Sequence, residues 1–488
     1  MKRFNISKLL LASAFLTAPA AAQDFDSLPS VKDIVSQAKA AEVSAPLPAL
    51  PPDTRAAKEW TIMVFMNGKN NLSDYVIKDM NEMEKYGPSE NINLVTQAAR
   101  LKYTPSAYPS GGGGYYDPIG GPTVPHPGWP DPVWPGFQPM MLQNPTRGAS
   151  AGGLNSDWPG LRTMILPATS DASTDWTGVR RYLVTADGDK AALSSTLLAD
   201  MGVVDMGDYK QLVEFGKWAK KNYPARKYML IVWNHGDGWK TKSFGRPSTF
   251  KGISYDDETG NGITTVQLGA AVREMGGVDI YASDACLMQM AEVAYELKDG
   301  AKITVGSEET EPGDGWAYDY FLSRVHANKA NLTPEVMAAA AVQGYKAFYK
   351  EKGISATQSA LKTSSMAGFR SVMDQWAALA MKEDKAMIKE ALNASTSFSG
   401  VDSRDLIHFM ELVHAKAASG ALKAKTVTAM NYIYDRVIID NGATGDNFAK
   451  AYGLGIYLPS YNYEAPYSNL AWSKEGQWDE FVQWVTAK

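Results

Sequence analysis

The chain carries one cysteine, Cys286, and five histidines, of which His235 stands in a comparable setting. Cys286 closes the apolar run Val278-Asp279-Ile280-Tyr281-Ala282-Ser283 and precedes Leu287 to Leu297, which reads as a helix. Unpaired backbone N–H groups and the positive end of a helix dipole favour thiolate over thiol, so a cysteine at a strand end and helix start is placed for chemistry. Free cysteine is also among the most buried residue types, and burial accounts for a lone thiol as well as catalysis does. His235 follows the strand Lys227 to Trp233 in the string Asn234-His235-Gly236-Asp237-Gly238-Trp239. Cysteine with histidine is the minimal set for nucleophilic acyl transfer: sulfur attacks a carbonyl and imidazole carries the proton to the leaving amine. Gly236 allows close backbone approach, and the N–H groups of Gly236 and Cys286 are the candidate oxyanion donors.

These residues meet only if the strands behind them are parallel neighbours, because the carboxyl ends of strands in an open α/β sheet form the crevice where ligands bind. The sequence supports such a sheet. Trp60 to Met66 and Lys227 to Trp233 are nearly continuous apolar runs, as strands covered on both faces require. Asp74 to Tyr86 reads as a helix and Ile92 to Ala98 as a second strand, making a βαβ unit. Arg180 to Thr185 reads as a hairpin or edge strand, and Asp208 to Tyr223 and Thr265 to Met275 as helices. Lys302 to Gly306 is a further strand, running into the acidic loop Ser307 to Trp316 on the same expected rim. The expected fold is α/β, with a mainly parallel sheet, helices on both faces and a mainly helical C-terminal region over 326–488 that contributes one late strand, Tyr452 to Pro459. The catalytic domain is expected over 59–325, interrupted at 101–167 by a Pro/Gly/Trp-rich insertion whose aromatics either bind a polymer or pack the loop.

The basic start and the apolar Leu9 to Leu16, followed by Ala20-Ala21-Ala22, read as a signal peptide over 1–22. Residues 23–58 read as a linker or pro-segment, and the expected location is secreted or periplasmic. A net charge of -5 with dispersed basic residues argues against nucleic acid as a partner, and no later apolar run is long enough for a membrane span. His408 and His414 flank Glu411 without the spacing of a zinc-protease pair, so no metal site is expected there.

Asn234 to Trp239, then Asp284-Ala285-Cys286-Leu287-Met288, then Gly306 to Trp316 with its Pro312-Gly313-Asp314-Gly315-Trp316 ending, resemble the motifs of the clostripain family of cysteine peptidases. The gap of about fifty residues from histidine to cysteine is also the caspase spacing. The resemblance runs from Trp60 to the terminal helix and fails over the insertion. It implies a caspase-like fold and an endopeptidase, needing no cofactor, that cuts protein or peptide substrates after Arg or Lys. Asp284 and Asp314 would line the pocket for that side chain. It also implies a zymogen cut in the segment between His235 and Cys286, where Lys242 and Lys251 are the candidate sites and Pro247 disfavours Arg246. Calcium as an activator is a further implication, with Asp256-Asp257-Glu258 the stretch that could bind it, though the spacing is not that of an EF-hand. The rival expectation is a noncatalytic exported binding protein that keeps the fold and grips its ligand with the Trp-rich insertion.

Overall fold

Strand β1 (Lys58–Gly68) shows how the sheet divides the molecule: Ile62, Val64 and Met66 join one apolar core, Met63 and Phe65 the other. Successive strand side chains point to opposite faces, so a run apolar at every position is buried twice over. Burying one such side chain stabilises the fold by about 1.5–3 kcal/mol.

The computed structural model describes residues 57–101, 169–170, 175–189, 192–239, 252–399 and 402–487. The signal segment, the linker up to Ala56, the insertion beyond Leu101, and Lys242 and Lys251 lie outside the described residues. After β1 come α1 (Tyr75–Glu84), β2 (Ile92–Arg100), β3 (Thr169–Ser170), β4 (Gly178–Leu183), β5 (Thr196–Gly202), α2 (Tyr209–Asn222) and β6 (Ala225–Trp233). A small hairpin, β7 (Ile253–Asp256) and β8 (Asn261–Ile263), precedes α3 (Thr265–Glu274), β9 (Val278–Asp284), α4 (Ala291–Leu297) and β10 (Ala301–Gly306). The remainder holds α5 (Tyr318–Ala327), α6 (Pro334–Lys352), β11 (Ser359–Lys362), α7 (Met366–Ala380), α8 (Lys385–Ala394), β12 (Ser397–Phe398) and β13 (Ser403–Asp405). It closes with α9 (Leu406–Lys416), α10 (Gly420–Tyr432), β14 (Ile438–Asn441), β15 (Gly455–Tyr457), α11 (Ala471–Glu475) and α12 (Trp478–Thr486).

Ten strands form the main sheet in the order β14-β11-β10-β9-β6-β1-β2-β4-β5-β3. The central five, β10 to β2 in that order, are parallel, and antiparallel strands extend the sheet on either side. Helices α1, α5 and α6 cover one face; α2, α3, α4 and α7 cover the other. Because β2 lies on one side of β1 and β6 on the other, the chain switches direction at β1, which opens a crevice at the strands' carboxyl ends.

Two expectations are corrected. The C-terminal region supplies five short strands rather than one, and β11 and β14 belong to the main sheet, whereas β15 pairs with β13 in a separate three-stranded sheet. Strands this short carry no readable period, so their neighbours specify them. The helix expected at Leu287 begins at Ala291. Leu287 takes a φ of 63°, its N–H donates to Glu309 O at 3.1 Å, and the Gln289 N–H donates to Ser307 O at 3.0 Å. The segment after Cys286 is therefore hydrogen-bonded to the loop after β10, and a left-handed leucine costs about 1–2 kcal/mol that this pairing offsets.

Candidate active site

Parallel pairing of β6 with β9 sets Trp233 opposite Asp284, and the Asn234 N–H donates to Asp284 O at 3.1 Å. His235 and Cys286 each follow that pair by two residues, so register alone brings them to one level on the rim. A Cβ at Gly236 would lie 2.5 Å from Cys286 O, so only glycine lets the histidine loop rest on the cysteine backbone. The two candidate oxyanion donors are thereby neighbours.

His235 is half-buried, and its Nε2 lies 2.7 Å from Asn71 Oδ1. Asn71 lies within the turn after β1, and buried amides hold that turn in place. Asn67 Nδ2 donates to Ser254 Oγ at 3.1 Å and Tyr255 O at 3.0 Å, Asn70 Nδ2 donates to Tyr255 O at 2.9 Å, and Asn234 Nδ2 donates to Asn67 O. Beyond the histidine, Trp239 packs edge-on against Tyr457 and Tyr467 with ring centroids 4.6 and 4.8 Å away, which ties the loop to the C-terminal region.

Cys286 Sγ accepts a hydrogen bond from the Glu311 N–H at 3.3 Å. Burial first, and then the Glu311, Asp237 and Glu309 charges, push the thiol up to about 12 against that single favourable donor. The helix-dipole argument for a thiolate does not hold here, because α4 starts five residues past the cysteine and the dipole acts only within its first turn. A thiol raised that far stays protonated near pH 7.

Asp284, two residues before Cys286, is buried, and its Oδ1 accepts from the Trp316 N–H at 3.0 Å and its Oδ2 from the Tyr318 hydroxyl at 2.9 Å. Gly315, at a φ of 59°, makes this possible, since a Cβ there would lie 2.8 Å from Asp284 Oδ1. Asp314 is placed differently. Its carboxylate sits between Lys78 at 3.3 Å and Lys352 at 2.5 Å, and although burial acts to raise it, those two lysines hold it below its ordinary value.

The clostripain-family sequence profile matches residues 64–484. The chain belongs to the clostripain family. The curated clostripain of Hathewaya histolytica is 37% identical over 134 residues, 25% of this chain, and the match spans a quarter of that relative's length. Among solved structures, a secreted C11 cysteine protease from Bacteroides thetaiotaomicron, bound to an irreversible peptide inhibitor, has a TM-score of 0.53 at 17% identity over 86% of this chain and 99% of its own. An inactive zymogen C11 protease from Parabacteroides distasonis has a TM-score of 0.54 at 14% identity over 88% of this chain and 99% of its own. At such identities the likeness carries the fold, a caspase-like sheet.

In this clostripain-family chain the acidic turn considered for calcium already holds a cation. Buried Lys69 lies 3.5 Å from Asp256, pairs with Glu258 and donates to Val204 O at 2.7 Å. A metal bound by those side chains would have to displace a buried ammonium. His408 Nδ1 accepts from the Thr396 N–H at 3.0 Å, and His326 Nε2 contacts Gly87 O at 3.2 Å, so both serve the fold. Among the described residues no group of three or more His, Cys, Asp or Glu is placed to hold a metal, and no helix is long and apolar enough to cross a membrane. Sequence reasoning did not single out Asn71 or Glu311. Each follows a strand end, which is the one signal that marks both.

Proposed function

We propose that this chain is an exported cysteine endopeptidase that hydrolyses peptide bonds after arginine or lysine, with Cys286 as nucleophile and His235 as proton carrier. The observation that carries the reading is the shared register of His235 and Cys286 at the ends of adjacent parallel strands. With Nε2–H donating to Asn71 Oδ1, Nδ1 is the unprotonated ring nitrogen and acts as base. It takes the Sγ proton as sulfur bonds to the substrate carbonyl carbon. The N–H groups of Gly236 and Cys286 stabilise the tetrahedral oxyanion, and the imidazolium then gives its proton to the leaving amine. Water, deprotonated by the same histidine, hydrolyses the thioester and restores the thiol. No cofactor enters these steps.

A carboxylate in a desolvated pocket selects a cation, because a neutral side chain would leave that charge unpaired. Asp284, two residues before the nucleophile, supplies a buried carboxylate. Asp314, engaged by two lysines, lies outside this pairing unless those lysines move aside. Self-cleavage after Lys242 or Lys251 is consistent with the zymogen form of a related C11 protease, and export with the secreted relative. A peptide that ends in an arginine bearing a thiol-reactive group tests the reading: it should modify Cys286, located by mass spectrometry of the digest. Folded, processed protein that is not modified at Cys286 would refute it.

A further inference from the structure

Two buried carboxyl groups belong to residues next to Cys286, Asp284 two residues before it and Glu311 with its N–H on Sγ, and what each already binds separates their roles. Both oxygens of Asp284 accept hydrogen bonds from the fold, from the Trp316 N–H and the Tyr318 hydroxyl. Both oxygens of Glu311 are buried and accept none. Glu311 is nonetheless fixed against the reaction centre, because its own N–H contacts Cys286 Sγ at 3.3 Å. The Trp316 indole N–H and the Tyr345 hydroxyl are likewise buried without partners. A buried carboxyl group with two bare oxygens is strongly unfavourable unless it holds a proton or receives a cation. The open acceptor capacity next to Cys286 thus belongs to Glu311.

We propose that Glu311 is the specificity-determining residue for the basic side chain: in the empty pocket it shares one proton with Asp284, and an arginine or lysine of the substrate displaces that proton and sits between the two carboxylates. The inference rests on the cysteine endopeptidase reading above and adds to it the residue that reads the substrate. Charge balances: a singly charged acid pair becomes a doubly charged one holding a cation, and one proton passes to solvent. Burial, followed by the Asp284 charge facing it, holds the Glu311 carboxyl well above its ordinary range, and the Ala285 N–H and Trp316 indole oppose this without completing a hydrogen bond to it. Burial likewise raises Asp284, to about 6. The other groups facing Glu311 are Tyr318, Tyr345, Tyr349 and the Cys286 thiol, all raised and all neutral near pH 7. Lys78 also acts on Asp284, but Asp79, Glu82 and Asp314 already lie 3.3 to 3.5 Å from its ammonium. The proton on the acid pair is therefore the charge that a substrate cation replaces.

Calorimetry on Cys286→Ala protein, cut beforehand in trans by wild type that is then removed, tests this with an arginine-containing peptide, titrated at neutral pH in two buffers of different ionisation enthalpy. About one proton should be released per peptide bound, and none when Glu311→Gln is added. In the active enzyme, Glu311→Gln should lower the ratio of kcat/KM for an arginine peptide over its citrulline isostere by about a hundredfold. Peptide binding without proton release overturns the inference, and that measurement stands even if Glu311→Gln fails to fold. A wild type that does not prefer arginine to citrulline removes the basic-specificity reading and this inference with it. A wild-type preference that survives Glu311→Gln removes this inference alone.

Discussion

His235 Nε2 and Asn71 Oδ1 lie 2.7 Å apart, joining the carboxyl ends of two adjacent parallel strands, β6 and β1. An Oδ1 acceptor at this distance favours the tautomer with the proton on Nε2, which the proposed chemistry uses. Asn71→Ala should lower kcat by about 10- to 100-fold with KM changed less than about twofold, since the residue orients the base and does not touch the substrate. Asn71→Asp should recover activity but move the acid limb of the kcat/KM profile upward, because a carboxylate favours the imidazolium. A steady-state pH series on the three proteins decides it; unchanged kcat in Asn71→Ala contradicts the assignment.

The thiol offers a second check. With its pKa pushed up to about 12 by burial and then by the Glu311 charge, Cys286 in the empty enzyme carries little thiolate at neutral pH. Only thiolate is alkylated, so the iodoacetamide rate constant should climb about tenfold per unit between pH 7 and 9. A plateau that sets in below pH 9 would show a thiolate stabilised before substrate arrives.

Gly315 allows Asp284 its Trp316 partner. A methyl group at residue 315 would lie 2.8 Å from Asp284 Oδ1 at a φ of 59°, so Gly315→Ala should displace the carboxylate and lower arginine cleavage by about tenfold or more. It should also lower Tm, because a left-handed alanine costs about 1–2 kcal/mol. Wild-type kinetics and melting in the variant would show that the loop adapts freely.

Glu308 and Asp405 make a second buried acid pair, joining the loop after β10 to the C-terminal region. Glu308 Oε2 accepts from the Gly453 N–H at 2.9 Å, and Asp405 accepts from the N–H groups of His408 and Tyr452, each at 2.6 Å. Burial raises Asp405 to about 7, and burial followed by the Asp405 charge holds Glu308 well above its ordinary range. A raised acid binds more protons folded than unfolded, so its stabilisation is complete below 3.8 and is lost as pH rises through about 7. Asp405→Asn keeps an N-cap for α9 and should flatten the decline in Tm between pH 4 and 7. Parallel Tm curves for wild type and variant would rule the pair out as its source.

The legible parts of the fold share a physical cause. Parallel strands buried on both faces must be apolar along their length, so β1, β6 and β9 stand out, and the strand-end rule then places His235, Cys286 and Asp284 on one rim. Local pattern failed where tertiary pairing overrode it. Leu287 to Leu297 has helical composition, yet the loop after β10 takes the N–H groups of Leu287 and Gln289. Asn71 is hidden among the asparagines at and just past the end of β1, since Asn67, Asn70 and Asn71 differ only in what the fold brings to them. Glu311 is one of three neighbouring glutamates, and only position separates it from Glu308, bonded to the Gly453 N–H, and Glu309, bonded to the Ser399 N–H at 3.0 Å.

The most direct test of the central claim is digestion of a mixed peptide library by processed wild type and by Cys286→Ala, with every cleaved bond read by mass spectrometry. Cleavage after arginine or lysine in wild type and none in Cys286→Ala is the predicted result. Equal cleavage by the two proteins, or wild-type cleavage without a basic residue before the broken bond, would contradict it.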